Sequence, residues 1–447
     1  PRAACGTTQL GDSGDTFTVP AGATISNLGT ATGFGGTGVV SWDTASIKTT
    51  GFTAVTGTGY FCDTSGGGFT VTLPLSPSAG DVIGVSDYAK TFDTYTCTLG
   101  RNGSNIGGTA LDATLTTEGT AVTLVYVDAT KGWIVTDSGN QSDAPQAQYV
   151  AATGGCITTC GNYKMHKFLS PNTFVVTAVG NCAGSNSVSY IVVAGGGGGG
   201  YERGGGGGAG GFRESKASSD AYTASPLNAT SGPGYNLPVS ATPYAIVVGG
   251  GGAGGTTRGT PATSGVDSSF SSITSTGGGG GGSHPPADNF GLTGGSGGGI
   301  RSGSPLGSTA GNTPPTSPAQ GFPGGATNFP ACGTPDYYGS GGGGATAAGS
   351  AASPTYACGT GGVGATTCIS ASPTAYAGGG GGGANCGPQP QLGGAGGGGN
   401  GGFCTTSGTA GGTNTGGGGG GGSGGHVPAM CGASGGSGIV IIRYRYQ

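Results

Sequence analysis

Uninterrupted glycine runs constrain this chain more than any other feature. Of 447 residues, 112 are Gly, and between about residues 195 and 438 they gather in runs that start at 195, 204, 249, 277, 341, 378, 396 and 416. Each interior Gly costs a helix roughly 0.5–1 kcal/mol relative to Ala. No apolar period of 3.6 runs through the sequence, so α-helix is expected to be almost absent. The runs lack the every-third-residue register that a collagen triple helix demands. A flexible linker is the plain alternative, since ordering each residue costs about 1–2 kcal/mol of backbone entropy. Against it stand apolar strands at both ends of the stretch, cysteines between the runs, and Pro-rich loops that lose less entropy on ordering. Without Cβ atoms, neighbouring segments can approach on all sides, and each inter-segment hydrogen bond contributes a net ~1 kcal/mol. An ordered bundle of extended three-fold helices is therefore expected.

Charged residues make up only 7% of the chain and the net charge is -4. With no Lys/Arg patch, nucleic acid is not an expected partner. No apolar run approaches the roughly 20 residues of a membrane-spanning helix, so membrane insertion is not expected either. A start at Pro1 without a signal peptide reads as a processed chain or a fragment.

Ahead of the glycines the pattern is that of strands. Short strands are expected at 15–19 and 23–25. A clearer β module covers 43–140, where Phe69, Val71 and Leu73 alternate with Thr70 and Thr72 at period two. A strong strand at 120–127 turns at Lys131 and Gly132 into a hairpin partner at 133–136. The expected fold class is mainly β with almost no α: small N-terminal β-sandwich or barrel modules, then a glycine-rich helical bundle closed by β-strands. The expected divisions are 1–42, 43–140, a linker and β segment over 141–187, and a glycine-rich module over 188–447 with a closing strand at 438–446. Residues 190–193 are expected to pair with 439–442 and shut the module.

Twelve cysteines favour disulfides and an extracellular setting over buried thiols. Cys62 with Cys97, both in strands of one small module, is the best single pair. Cys156, Cys160, His166 and Cys182 could in principle bind zinc, but their spacing is unusual, and no metal or other cofactor is expected. Segments between the glycine runs carry aromatics, and Phe290, Tyr337, Tyr338, Tyr356, Tyr376 and Phe403 are the candidate contact residues for a partner. The alternative role for each ring is packing along the lattice edge.

No catalytic centre is expected. The GGSGG segments at 294–298 and 421–425 fit the G-x-S-x-G pattern, yet neither follows a strong strand nor precedes a helix. No glycine run is followed by Lys-Ser or Lys-Thr, so a phosphate-cradling loop is excluded. Eighteen acidic residues leave polysaccharide cleavage the weakest functional reading.

YIVVAGGGGGG at 190–200 and GGSGIVIIRY at 435–444 resemble the glycine-rich domain in tail fibres of phages that infect marine bacteria. FSSITS at 270–275 and GNTPPTSPAQG at 311–321 look like further pieces of that domain. GFTAV at 51–55, TLPLSPSAGD at 72–81 and LVYVDATKGW at 124–133 resemble the β module preceding it. The resemblance implies a polyglycine-II-like lattice in a homo-oligomeric virion surface protein, a trimer or a polymer. Its distal loops would touch a host glycan or outer-membrane protein. A repeating subunit of an extracellular filament or virion decoration, without receptor binding, is the alternative.

Overall fold

The computed structural model describes residues 40–140, 148–181, 184–232, 234–284, 290–301, 307–326, 338–352, 358–385, 391–424 and 430–447. The strands expected at 15–19 and 23–25 lie outside these residues. The chain forms two compact units, Pro1–Gln146 and Ala147–Gln447.

In the first unit, threonine-rich alternation yields two sheets. One runs β1 (Ser41–Lys48), β3 (Thr58–Cys62), β5 (Val82–Asp87), β8 (Thr120–Asp128), β9 (Gly132–Asn140) in that order. The other runs β2 (Phe52–Thr53), β4 (Phe69–Thr72), β6 (Cys97–Gly100), β7 (Ala113–Leu115). Val71, Leu73, Ile83, Leu124 and Trp133 share one core between them. Burying each such side chain contributes about 1.5–3 kcal/mol. The buried carboxylate of Asp87 accepts from the N–H groups of Thr91, Phe92 and Gly119 and ties two loops to the end of β5.

The second unit is built on a sheet of order β11 (Cys156–Cys160), β12 (Tyr163–Phe168), β22 (Ile439–Arg445), β14 (Ser187–Val193), β15 (Phe212–Ser215), with β16 (Leu237–Pro238) also on β14. β14 and β22 pair antiparallel, with Tyr190 opposite Ile442 and Val193 opposite Ile439, as expected from the sequence. A second sheet runs β10 (Ala151–Thr153), β13 (Asn172–Ala178), β17 (Pro243–Val247), β18 (Ser268–Phe270), β19 (Ile273–Ser275). Tyr190 and Val192 join Phe174, Phe270 and Val440 in one core, while Ile191 and Val193 join Phe212, Ile439 and Ile441 in another. Burial on both faces explains why β14 and β22 read as continuous apolar runs. A hairpin of β20 (Ala365–Thr367) and β21 (Thr374–Tyr376) completes the strands.

The expected polyglycine-II-like helical bundle is not what forms. Among the described residues there is no helix, and the fold is all-β in several sheets. The reason lies in where the backbone hydrogen bonds go. An extended three-fold helix makes no hydrogen bonds within its own segment; here the donors of the first run go to the segments that lead into β18, β22 and β15, so the run is tied into the sheets and does not stand in a separate helical bundle. Gly195, Gly196 and Gly197 donate to Val266, Gly436 and Gly208; Gly198, Gly199 and Gly200 donate to Thr263, Ala433 and Gly205. Successive donors thus address three neighbouring segments in turn, and the runs form a cross-bonded lattice between the sheets and the chain reversals.

Candidate functional site

The run at 195–200 leaves β14, reverses at residues 201–203, and returns as 204–211 to β15. This reversal is a hub for one end of the lattice. Glu202 and Arg203 adopt φ of 48° and 59°, a costly left-handed backbone for side-chain-bearing residues. Neighbouring segments hold it there. Tyr201 N–H donates to Ser283 Oγ at 3.0 Å, Glu202 N–H to the Met430 carbonyl at 3.2 Å, and Arg203 Nε to Asn385 Oδ1 at 3.2 Å.

The Glu202 carboxylate is buried and accepts a bidentate pair from Arg258, Nε at 2.7 Å and Nη2 at 2.8 Å, with His284 Nε2 at 3.9 Å. The Arg258 side chain is 59% exposed. A buried carboxylate therefore orients a cation at the surface, and bidentate geometry fixes the plane of the guanidinium. Close to this reversal Tyr338, Ala352, Cys358 and Ala384 form a small apolar cluster against which Phe403 packs. Burial pushes the Cys358 thiol pKa well up, and its Sγ lies 3.4 Å from the Gly383 carbonyl.

The residues expected to contact a partner separate on burial. Phe290 is 40% exposed, Phe403 is half-buried, and Tyr338 and Tyr376 are buried at 3% and 4% exposure. Tyr338 and Phe403 meet in the small cluster, whereas Tyr376 belongs to the core beneath β14, where burial raises its phenol pKa. Tyr337 and Tyr356 lie outside the described residues. Sequence reasoning passed over Glu202 and Arg258. The available signal was the Tyr-Glu-Arg triplet at 201–203 between two glycine runs, in a chain where charge is scarce.

Cys62 and Cys97 are both buried, and their thiols contact one another across the two sheets of the first unit. The neighbouring Cys97 thiol and burial push the Cys62 pKa far up, so Cys62 is not a ready nucleophile. His166 is buried with Nδ1 2.7 Å from the Gly154 carbonyl and Nε2 3.0 Å from Tyr444 Oη, which leaves no ring nitrogen for a metal. Burial lowers its pKa. Cys156 and Cys160 are exposed on β11, and Cys182 lies outside the described residues. Both serines of the GGSGG segments are buried and donate to carbonyls, Ser296 Oγ to Gly344 at 3.2 Å and Ser423 Oγ to Cys404 at 2.7 Å.

An all-β scaffold of cross-bonded glycine runs, with charged and aromatic side chains set at its reversals, defines a glycine-rich domain. Residues 169–445, more than half of the chain, match the family described as Glycine-rich domain, and the chain belongs to that family. A search of the curated proteins finds no match.

Proposed function

We propose that this chain is an extracellular attachment protein of the virion tail-fibre type, with its glycine lattice holding loops rigidly for a host glycan or outer-membrane protein. The observation that carries this reading is the surface guanidinium of Arg258, fixed by a buried carboxylate at a lattice reversal. Planar, oriented cations suit carboxylate or phosphate groups on envelope glycans. Exposed Phe290 supplies an apolar platform on the same module. Rigid presentation lowers the entropy lost on binding.

Burial of Tyr338 and Tyr376 favours a second reading, a repeating structural subunit of a filament or virion decoration whose rings serve packing alone. Binding of the full chain to an array of bacterial envelope glycans and to intact cells separates the two. Attachment reads out as saturable binding that Arg258→Ala or Phe290→Ala weakens at least about tenfold, a hot-spot loss of about 1.4 kcal/mol. Saturable binding to which both variants are indifferent, or none at all, overturns the attachment site.

A further inference from the structure

β11 is an edge strand: it pairs with β12 on one side and with no other strand among the described residues. All five of its residues, Cys-Ile-Thr-Thr-Cys, are exposed, including Ile157 at 44%. Exposed edges are normally blunted by Lys, Pro or a bulge, because their free N–H and C=O groups pair with other strands. This edge has no Lys or Pro, and its register with β12 is unbroken from Cys156↔Lys167 to Cys160↔Tyr163.

The phase of the ladder shows what the edge offers. Gly161 and Asn162 form a two-residue turn, with Gly161 at φ 54°, the first central position that a II′ hairpin reserves for glycine. Cys160 and Tyr163 therefore close the hairpin as a hydrogen-bonded pair, and Thr158 and Cys156 follow in the same phase. Ile157 and Thr159 then direct their backbone N–H and C=O groups to the open side. Cys156 and Cys160 are the exposed cysteines among the described residues. Four residue steps along the strand set them about 13 Å apart, beyond the ~7 Å Cα limit of a disulfide, so they cannot bond to each other in this strand.

We propose that β11 docks antiparallel against β11 of a second copy of this chain, on a two-fold axis through Thr158, and that two inter-chain disulfides lock the pair. A two-fold at Thr158 sets each Cys156 opposite Cys160 of the other copy, since both lie two residues from the axis. Ile157 faces Thr159 of the other copy in the hydrogen-bonded phase. The cysteines fall in the non-hydrogen-bonded phase, where Cα atoms stand about 4.5 Å apart, inside the disulfide range. Such an interface is isologous and closes at two copies. A small-molecule disulfide such as oxidised glutathione supplies the oxidising equivalent. A Cys156 thiolate attacks it, releasing one glutathione thiol and leaving a mixed disulfide. Cys160 of the other copy, as thiolate, attacks the protein sulfur and releases the second thiol. Each inter-chain bond thus consumes one small disulfide and yields two thiols and no net electrons. This pairing is independent of the attachment reading.

The test uses the full chain with oxidised glutathione, then non-reducing electrophoresis and peptide mass mapping. Wild type is expected to give a covalent dimer that dithiothreitol dissolves. Cys156→Ser and Cys160→Ser alone are each expected to lose it, because the register sets like cysteines apart. Mixing the two variants is expected to restore a covalent heterodimer through one Cys160–Cys156 bond. A dimer from either single variant alone, a dimer from the double variant, an intrachain Cys156–Cys160 bond, no heterodimer on mixing, or no wild-type dimer overturns the proposal.

Discussion

At Gly207 an added Cβ would lie 2.1 Å from the carbonyl oxygen of Gly197, while its own N–H bonds Gly419 and its carbonyl accepts from Gly380. No rotamer relieves a clash of Cβ with backbone, so neighbouring segments would have to part. At Gly250, by contrast, an added Cβ meets nothing within 4 Å. Gly207→Ala is expected to destabilise the fold by at least about 1–3 kcal/mol, and Gly250→Ala to change it by about 0.5 kcal/mol or less. Denaturant midpoints of the two variants check this, and equal midpoints would count against close packing as the reason for glycine at 207. The rings tell a similar story. Tyr338 and Phe290 are alike in sequence context, yet one is buried and the other 40% exposed. Burial here depends on which segment lies across the ring, and local sequence does not state that.

Among the elements, β22 carries the most consequential side chain. Arg443 donates from Nε to both carboxylate oxygens of Asp220 at 3.0 and 3.1 Å, and its guanidinium stacks over Tyr163 at 4.4 Å. Both partners are buried, so the pair fastens β22 to the loop after β15 in a place with little solvent. Removing one partner strands a buried charge, and Asp220→Asn is expected to cost about 3–5 kcal/mol. The double variant Asp220→Asn with Arg443→Met is expected to recover much of that loss, because two neutral groups replace the stranded ion. Chemical unfolding of the three chains measures the difference. A neutral effect of Asp220→Asn alone would show that water reaches the pair. The period-two alternation of β4 and the apolar runs of β14 and β22 were legible in sequence, because burial on one or two faces writes itself into residue order. The Asp220–Arg443 pair was not, since its members are 223 positions apart.

For the second unit as a whole, β22 is the closure. It pairs with β12 through Tyr163↔Arg445 to Phe168↔Val440, and with β14 through Ser189↔Arg443 to Val193↔Ile439. It thereby joins the last segment of the lattice to the strand from which the first glycine run departs. Ending the chain at Ser437 removes both ladders and opens the two cores that β22 separates. Amide hydrogen exchange is the direct measure: the truncated chain is expected to lose protection across 195–200 and 416–422 together, as one cooperative unit. Protection kept in those runs would show that the lattice stands without its closing strand.

Sequence alone determined that this chain would be β-rich and nearly free of α-helix, since glycine penalises α-helix and the strand periods survive between the runs. It also determined that the two apolar ends of the glycine stretch meet, because neither could remain exposed. Tertiary structure decided what the glycines form: extended segments whose hydrogen bonds run to distant neighbours, with no helical bundle. A glycine has no side chain through which to specify a partner, so the choice of neighbouring segment is made only when the whole lattice and its closing sheet assemble.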